Sequence, residues 1–290
     1  MAGWQEELKK NFPYSFFPSF PLSHLSTLKI GGRGNLLLLK REEELEKLLK
    51  IREEYTFPLR VLGRGSNTVF REGEIEGLIL KLEGDFQKIR LEKENICWLG
   101  AGVRINQLMN FLLRNHLSGM EQLAGIPGSI GGAIVMNAGG KNYSIGESII
   151  RVRVWEEGKI SEITPSFSYR KGLKSEGIIL GCWVKLEKGD PRPVIKNLLE
   201  ERKKKFPLNL PSCGCVFRNP SPTLPAGYLI DKAGLKGTRE GGLMVSPVHA
   251  NFIVKIDRAT THDFLKLVER VKEKVYQVFG VKLEREVEIV

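Results

Sequence analysis

GIPGSIGGAIVMNAGG, residues 125–140, holds six glycines in sixteen positions. It reads as a loop built for close approach of the backbone to a ligand. Glycine permits positive φ and removes the Cβ that would block a phosphate. Two shorter loops of the same kind precede it, Gly63-Arg64-Gly65-Ser66-Asn67-Thr68 and Gly100-Ala101-Gly102-Val103. Consecutive backbone N–H groups in such turns form anion-binding concavities. Each loop alone reads more readily as an ordinary tight turn. Three of them between residues 63 and 140 point instead to a large phosphate-bearing cofactor. Neither short loop completes G-x-G-x-x-G, and no G-x-x-x-x-G-K-[ST] occurs, so a dinucleotide here is not held by a Rossmann unit or a P-loop.

The segments around these loops alternate without a strict βαβ rhythm. EEELEKLLKIRE (42–53) spaces its leucines as a helix, and LRVL (59–62) and GLILKL (77–82) read as short buried strands. ICWLGAGV (96–103) is a strand running into a glycine turn, and RINQLMNFLLRNHL (104–117) is an amphipathic helix. SIIRVRVWEEG and GIILGCWVKLEKG are strands flanking FSYRKGLKSE. From residue 191 onward, PVIKNLLEERKKKF is a helix whose basic end suits the dipole at its C-terminus. AGYLIDKAGL is a short helix and ANFIVKID a strand. THDFLKLVERVKEKVYQVFG (261–280) is a long helix, capped by Thr260 or Thr261 and stopped by Gly280, and VKLEREVEIV is a closing strand. This mixture predicts an α+β fold. The expected division is an N-terminal segment 1–21, blocks 22–85 and 86–190, and a third block 191–290.

With 290 residues and 41% hydrophobic content, the chain has ample material for a core and suggests roughly two domains. It contains no run of 18 apolar residues and no signal-like h-region in its first 25 residues, so a cytoplasmic protein without a membrane partner is expected. Four cysteines in such a compartment do not make a disulfide framework. The net charge of +11 permits nucleic-acid binding, but no zinc-finger or RNP motif occurs and aromatics are not interleaved with the basic residues. The basic run Arg202-Lys203-Lys204-Lys205 reads as a solvated helix end or as a seat for an anionic small molecule.

PSCGCVFRNP (211–220) carries two of the four cysteines. A C-x-C pair makes a poor disulfide. It also makes a poor metal site, because no further cysteine or histidine stands at ligand spacing, so no metal is expected.

Seven motifs in order carry a resemblance: STLKIGGRGN (26–35), LGRGSNTVF (62–70), LAGIPGSIGGAIVMNAGG (123–140), FSYRKG (167–172), PSCGCVFRNP, AGYLIDKAGLKG (226–237) and LEREVEI (283–289). On these the chain resembles the UDP-N-acetylenolpyruvoylglucosamine reductases, in a shorter subclass without a tyrosine-bearing insertion near 171–176. The resemblance implies that blocks one and two form a non-covalent FAD-binding domain of the vanillyl-alcohol-oxidase (PCMH) type, with block three as the substrate-binding domain. NADPH reduces FAD, and the flavin passes hydride to the enolpyruvyl group of UDP-N-acetylglucosamine-enolpyruvate to give UDP-N-acetylmuramate. The partner is thus a small molecule, with no nucleic acid, and a monomer is expected.

The same resemblance assigns the sites. Gly63, Arg64, Gly65, Ser66, Asn67, Thr68, Gly100, Ala101, Gly102, Gly125, Pro127, Gly128, Ser129, Gly131, Gly132 and Asn137 fall to the cofactor. Arg170 falls to the enolate-like intermediate, where a planar guanidinium suits a carboxylate. Glu286 falls to the substrate carboxyl beside Arg170, which implies a raised pKa. By alternation alone Glu286 is one of three acids on the polar face of the last strand, opposite Val281, Leu283, Val287 and Ile289. Cys215 stands where many relatives have serine and is the expected proton donor, a thiol with an unperturbed pKa of about 8.5 being the stronger acid. Cys213 is a packed neighbour. Arg202, Lys205, Asn219, Tyr228 and His249 fall to the substrate. Two other readings are a different flavoenzyme on the same scaffold, such as a small-alcohol oxidase, and a basic nucleic-acid-binding module.

Overall fold

The 77–82 run is mostly apolar and β-branched or leucine-rich, and it forms the buried half of the strand Glu74–Leu82. The computed structural model describes residues 3–93, 95–140, 143–156, 158–168, 172–173 and 177–290. The chain forms two compact units: residues 1–18, 35–64 and 77–200, and residues 19–34, 65–76 and 201–290. These units interleave along the sequence, a different division from contiguous blocks ending at residues 21, 85 and 190.

In the first unit, five antiparallel strands form a sheet in the order Lys159–Ile163, Ile149–Glu156, Ile178–Lys185, Ile96–Gly100, Ile89–Leu91. Residues Leu59–Val61 pair in parallel with Leu78–Leu80. The helix Glu42–Tyr55 buries Leu45, Leu48, Leu49 and Ile51, and Ile105–Asn115 buries Ile105, Leu108, Met109 and Leu112. Both share one apolar core with Leu80, Leu99, Val152 and Val184. A helix at Gly3–Asn11 lies in the expected N-terminal segment and sets Leu8 into that core. The expected loop 125–140 is in part a helix, Ile130–Met136, with Ser129 as its cap. Glycine lowers helix propensity, yet Ala133 and Ile134 are buried and Gly131 N–H donates to the Ala101 carbonyl, so packing overrides propensity.

In the second unit, the strands Ser212–Cys215, Phe252–Lys255, Leu243–Val245 and Arg239–Glu240 form an antiparallel sheet in that order. The helix Thr261–Phe279 buries Phe264, Leu267, Val268, Val271 and Val275 in a second apolar core with Leu229, Ile253 and Val287. Each such buried side chain contributes roughly 1.5–3 kcal/mol. Thr260 caps this helix by accepting from Asp263 N–H, and Gly280 ends it at φ 68°. The expected final strand shortens to Glu288–Ile289, which pairs in parallel with Thr68–Val69. Leu283 and Val287 are buried as the alternation requires.

Candidate active site

In the first unit the glycine loops meet at Ser129. An added Cβ on Gly63 would lie 2.5 Å from Ser129 Oγ, and Ser129 is buried. Ile130 N–H donates to the Val103 carbonyl (2.8 Å), and Arg104 bridges Ser129 in an antiparallel pair. Two glycines of the second loop have a packing reason of their own. An added Cβ on Gly100 would collide with the Phe86 carbonyl, and on Gly102 with that of Leu82. Gly132 differs: an added Cβ there meets nothing closer than Ser129 Oγ at 3.6 Å. The junction is positively charged. Lys81 Nζ donates to the Gly63 carbonyl at 2.6 Å. Burial holds the Lys81 ammonium below the usual lysine pKa, Glu83 opposes that, and the charges of Arg64 and Arg104 add to it. Converging glycine loops with open space at Gly132 and cations alongside fit the diphosphate of a dinucleotide. Gly125 takes φ 75°, and the Gly128 carbonyl accepts from Ile105 N–H. Asn137 is buried, with its amide donating to the Ser168 carbonyl (2.9 Å) and accepting from Gly146 N–H (3.1 Å). It therefore braces the loop.

In the second unit the sequence Ser212-Cys213-Gly214-Cys215 forms a bulge. Ser212 pairs with Val254 and Cys215 with Phe252, so three steps on one strand face two on the other. In a regular strand residues two apart share a face. The extra residue breaks that rule and re-aims the Cys215 side chain. Gly214 supplies the turn with φ 78°, where its missing Cβ would meet only the Ser66 carbonyl at 3.7 Å. Cys213 is buried and its thiol is pushed up to about 12 by burial, whereas Cys215 is half-buried. The bulge separates the two thiols.

One cation, Arg202, lies near Cys215, and the strand partner of Cys215, Phe252, belongs to an aromatic cluster. Arg202 places its guanidinium 5.7 Å from the Phe206 ring centre, and its buried Nε has no hydrogen-bond partner among the described residues. Burial lowers the Arg202 pKa, and the nearby Cys215 raises it. Phe206, His249 and Phe252 stand with ring centres 5.0–5.3 Å apart. Burial pushes the His249 pKa below the usual histidine value, so its imidazole is neutral at neutral pH. Its Nδ1 accepts from Asn251 N–H. Asn251, buried, clamps Phe217 by accepting from its N–H (2.9 Å) and donating to its carbonyl (2.8 Å). Glu286 N–H donates to the Val216 carbonyl, one residue from Cys215, and the Asn67 amide donates to the Glu286 carbonyl. Glu286 is half-buried while Glu284 and Glu288 are exposed.

The other expected site residues have varied surroundings. The Gly65 carbonyl accepts from Thr27 N–H, and an added Cβ on Gly65 would collide with the Leu25 carbonyl. Thr68 is taken up in the pairing with Glu288. Lys205 forms an ion pair with Glu201 at 2.8 Å on an exposed helix end. Asn219 Oδ1 accepts from Ala226 N–H and so holds the start of the helix Ala226–Lys232. On that helix Tyr228 is exposed, with Lys232 over its ring. Arg170 lies outside the described residues. Residues the sequence did not single out are Lys81, Arg104, Phe206, Asn251 and Phe252. The one signal for Lys81 was a charged residue inside a buried strand.

A family model for an FAD binding domain matches residues 35–163, and one for the C-terminal domain of UDP-N-acetylenolpyruvoylglucosamine reductase matches residues 206–290. The chain is 36% identical to the UDP-N-acetylenolpyruvoylglucosamine reductase of Anoxybacillus flavithermus, over 91% of each chain. It is 33% identical to that of Bacillus subtilis, over 98% of this chain and 97% of the other. The crystal structure of the Thermus caldophilus enzyme superposes with a TM-score of 0.81 at 33% identity, over 94% of this chain and 97% of that one. The fold is therefore α+β, an FAD-binding domain followed by the C-terminal domain of the reductase family. Likeness over nearly the whole length, in sequence and in fold, makes the chain a member of the UDP-N-acetylenolpyruvoylglucosamine reductase family.

Proposed function

We propose that this chain reduces the enolpyruvyl group of UDP-N-acetylglucosamine-enolpyruvate to the lactyl ether of UDP-N-acetylmuramate, a peptidoglycan precursor, with NADPH as the reductant. The observation that carries this reading is the bulge that sets Cys215 half-buried beside Arg202, within the region that matches the family's C-terminal domain. The residues of the junction at Ser129 would hold FAD through its diphosphate, and FAD held there would supply the hydride for one alkene carbon.

Charge then develops on the neighbouring carbon and its carboxylate. Cys215 donates its thiol proton to that carbon, which completes the reduction and leaves a thiolate. The fixed positive charge of Arg202 favours this thiolate, because a neighbouring cation stabilises it. Glu286 and Arg170 engage the substrate carboxylate. Their roles rest on the family likeness together with the half-buried position of Glu286 near Val216. The neutral His249 and the rings of Phe206 and Phe252 wall off water on the Cys215 side and strengthen electrostatic interactions there. Arg202 and Lys205, together with Asn219 and Tyr228, contact the substrate. The enzyme works in the cytoplasm as a monomer, and no helix among the described residues is long and apolar enough to cross a membrane.

The test is direct. Purified yellow protein should consume NADPH when UDP-N-acetylglucosamine-enolpyruvate is added. The absence of any substrate-dependent NADPH consumption would falsify the assignment.

A further inference from the structure

Lys81 is an expensive residue where it stands. Leu78, Ile79, Leu80 and Leu82 around it on the strand Glu74–Leu82 are all buried. A lysine in such a run loses hydration for its charge, and lysine is almost never buried unless paired. Among the described residues no carboxylate forms an ion pair with Lys81. Its ammonium donates instead to the carbonyl of Gly63 (2.6 Å), the residue that abuts the Ser129 hydroxyl. The charges acting on it are those of Arg64, Arg104 and a single acid, Glu83. Arg104 belongs to the same junction through its bridge to Ser129. Three cations against one carboxylate repel one another, and a doubly charged anion at the junction relieves that repulsion.

We infer that Lys81, Arg64 and Arg104 form the charge seat for the flavin dinucleotide's diphosphate, with Lys81 also pinning the Gly63 carbonyl so that the first glycine loop keeps its shape against Ser129. The inference rests on the FAD reading and deepens it. It gives Arg64 a task inside GRGSN and assigns Lys81 and Arg104, neither of which any glycine pattern reveals. Arg64 and Arg104 are exposed and act as charges. Lys81 is a positioning residue as well as a charge.

The experiment measures release of FAD from flavin-loaded full-length protein, by recovery of free-flavin fluorescence after dilution at increasing ionic strength. Arg64→Gln and Arg104→Gln should each speed release about five- to tenfold at low salt, the size expected for one unit charge near the surface. Each should also flatten the dependence of release on ionic strength. Lys81→Met should do the same more strongly. If it fails to fold, the two arginine variants decide alone, since exposed side chains are replaced without loss of core. A second readout is retention of riboflavin, which lacks the diphosphate and should bind wild type and variants alike. Release rates and salt dependence equal to wild type in both arginine variants overturn the charge seat while leaving the flavoenzyme reading intact. A wild-type protein that is colourless and takes up no FAD overturns both.

Discussion

Cys213 and Cys215 are two residues apart, yet one is sealed in the core and the other is half-buried beside a guanidinium. Burial raises the thiols of Cys97 and Cys213 to about 12 and pushes Cys182 higher still. Alkylation of the folded protein with iodoacetamide at pH 8 should therefore modify one thiol rapidly, and mass spectrometry should place it on Cys215. Arg202→Met should slow that labelling, because loss of the cation leaves less thiolate. Rapid labelling of Cys213 would contradict the burial argument. In turnover, Cys215→Ala should still let NADPH bleach the flavin but slow its reoxidation by substrate by about 10²–10⁴, the usual contribution of a positioned acid. Cys215→Ser should retain activity and lose any fall in rate associated with thiol ionisation. Stopped-flow absorbance separates the two half-reactions, and full-speed reoxidation in Cys215→Ala would remove the thiol from the mechanism.

At the scale of elements, the bulge at Gly214 and the capped helix Thr261–Phe279 do different work. Gly214 occupies φ 78°, and a Cβ there would make only an ordinary contact with the Ser66 carbonyl at 3.7 Å. Gly214→Ala therefore meets backbone strain rather than a clash, and should cost roughly 1 kcal/mol or more, read as a lower urea midpoint with unchanged slope. Its larger effect should be on flavin reoxidation by substrate, because strain relief turns Cys215 back toward the face of Cys213. Thr260→Ala removes the cap of the long helix and should cost about 1 kcal/mol with no change in reoxidation rate. Finding the same loss of activity in both variants would show that general destabilisation, and not the bulge, governs the site.

At the scale of the whole molecule, buried acids set a limit at alkaline pH. Cys97, Cys213 and Tyr143 are each raised by folding to about 12, all with burial as the leading cause. Groups whose pKa is raised by folding stabilise the fold fully below their unfolded values. That stabilisation is lost as pH climbs through the folded ones. The melting temperature should thus fall between about pH 9 and 12. Cys213→Ala should soften the fall, and calorimetry across that range checks it.

Much of this protein was legible from local pattern. Helical spacing located Glu42–Tyr55, Ile105–Asn115 and Thr261–Phe279 to within a few residues, because an amphipathic stripe and its caps are local properties. Ordered motifs identified the family, and alternation placed Leu283 and Val287 inside. Local pattern did not reveal that Ile130–Met136 is helical, since its glycines argue against a helix and only the contact with Ala101 repays them. Nor did it reveal that Gly100 and Gly102 are small because the carbonyls of Phe86 and Leu82 press on them. The sequence by itself determined which segments are helix, strand and glycine loop, and which family they compose. Only the tertiary structure decided that Lys81 meets Gly63, that Arg202 stands by Cys215, and that two neighbouring cysteines face apart. Those pairings join residues distant in the chain or depend on one extra residue in a strand register, and neither leaves a periodic trace in composition.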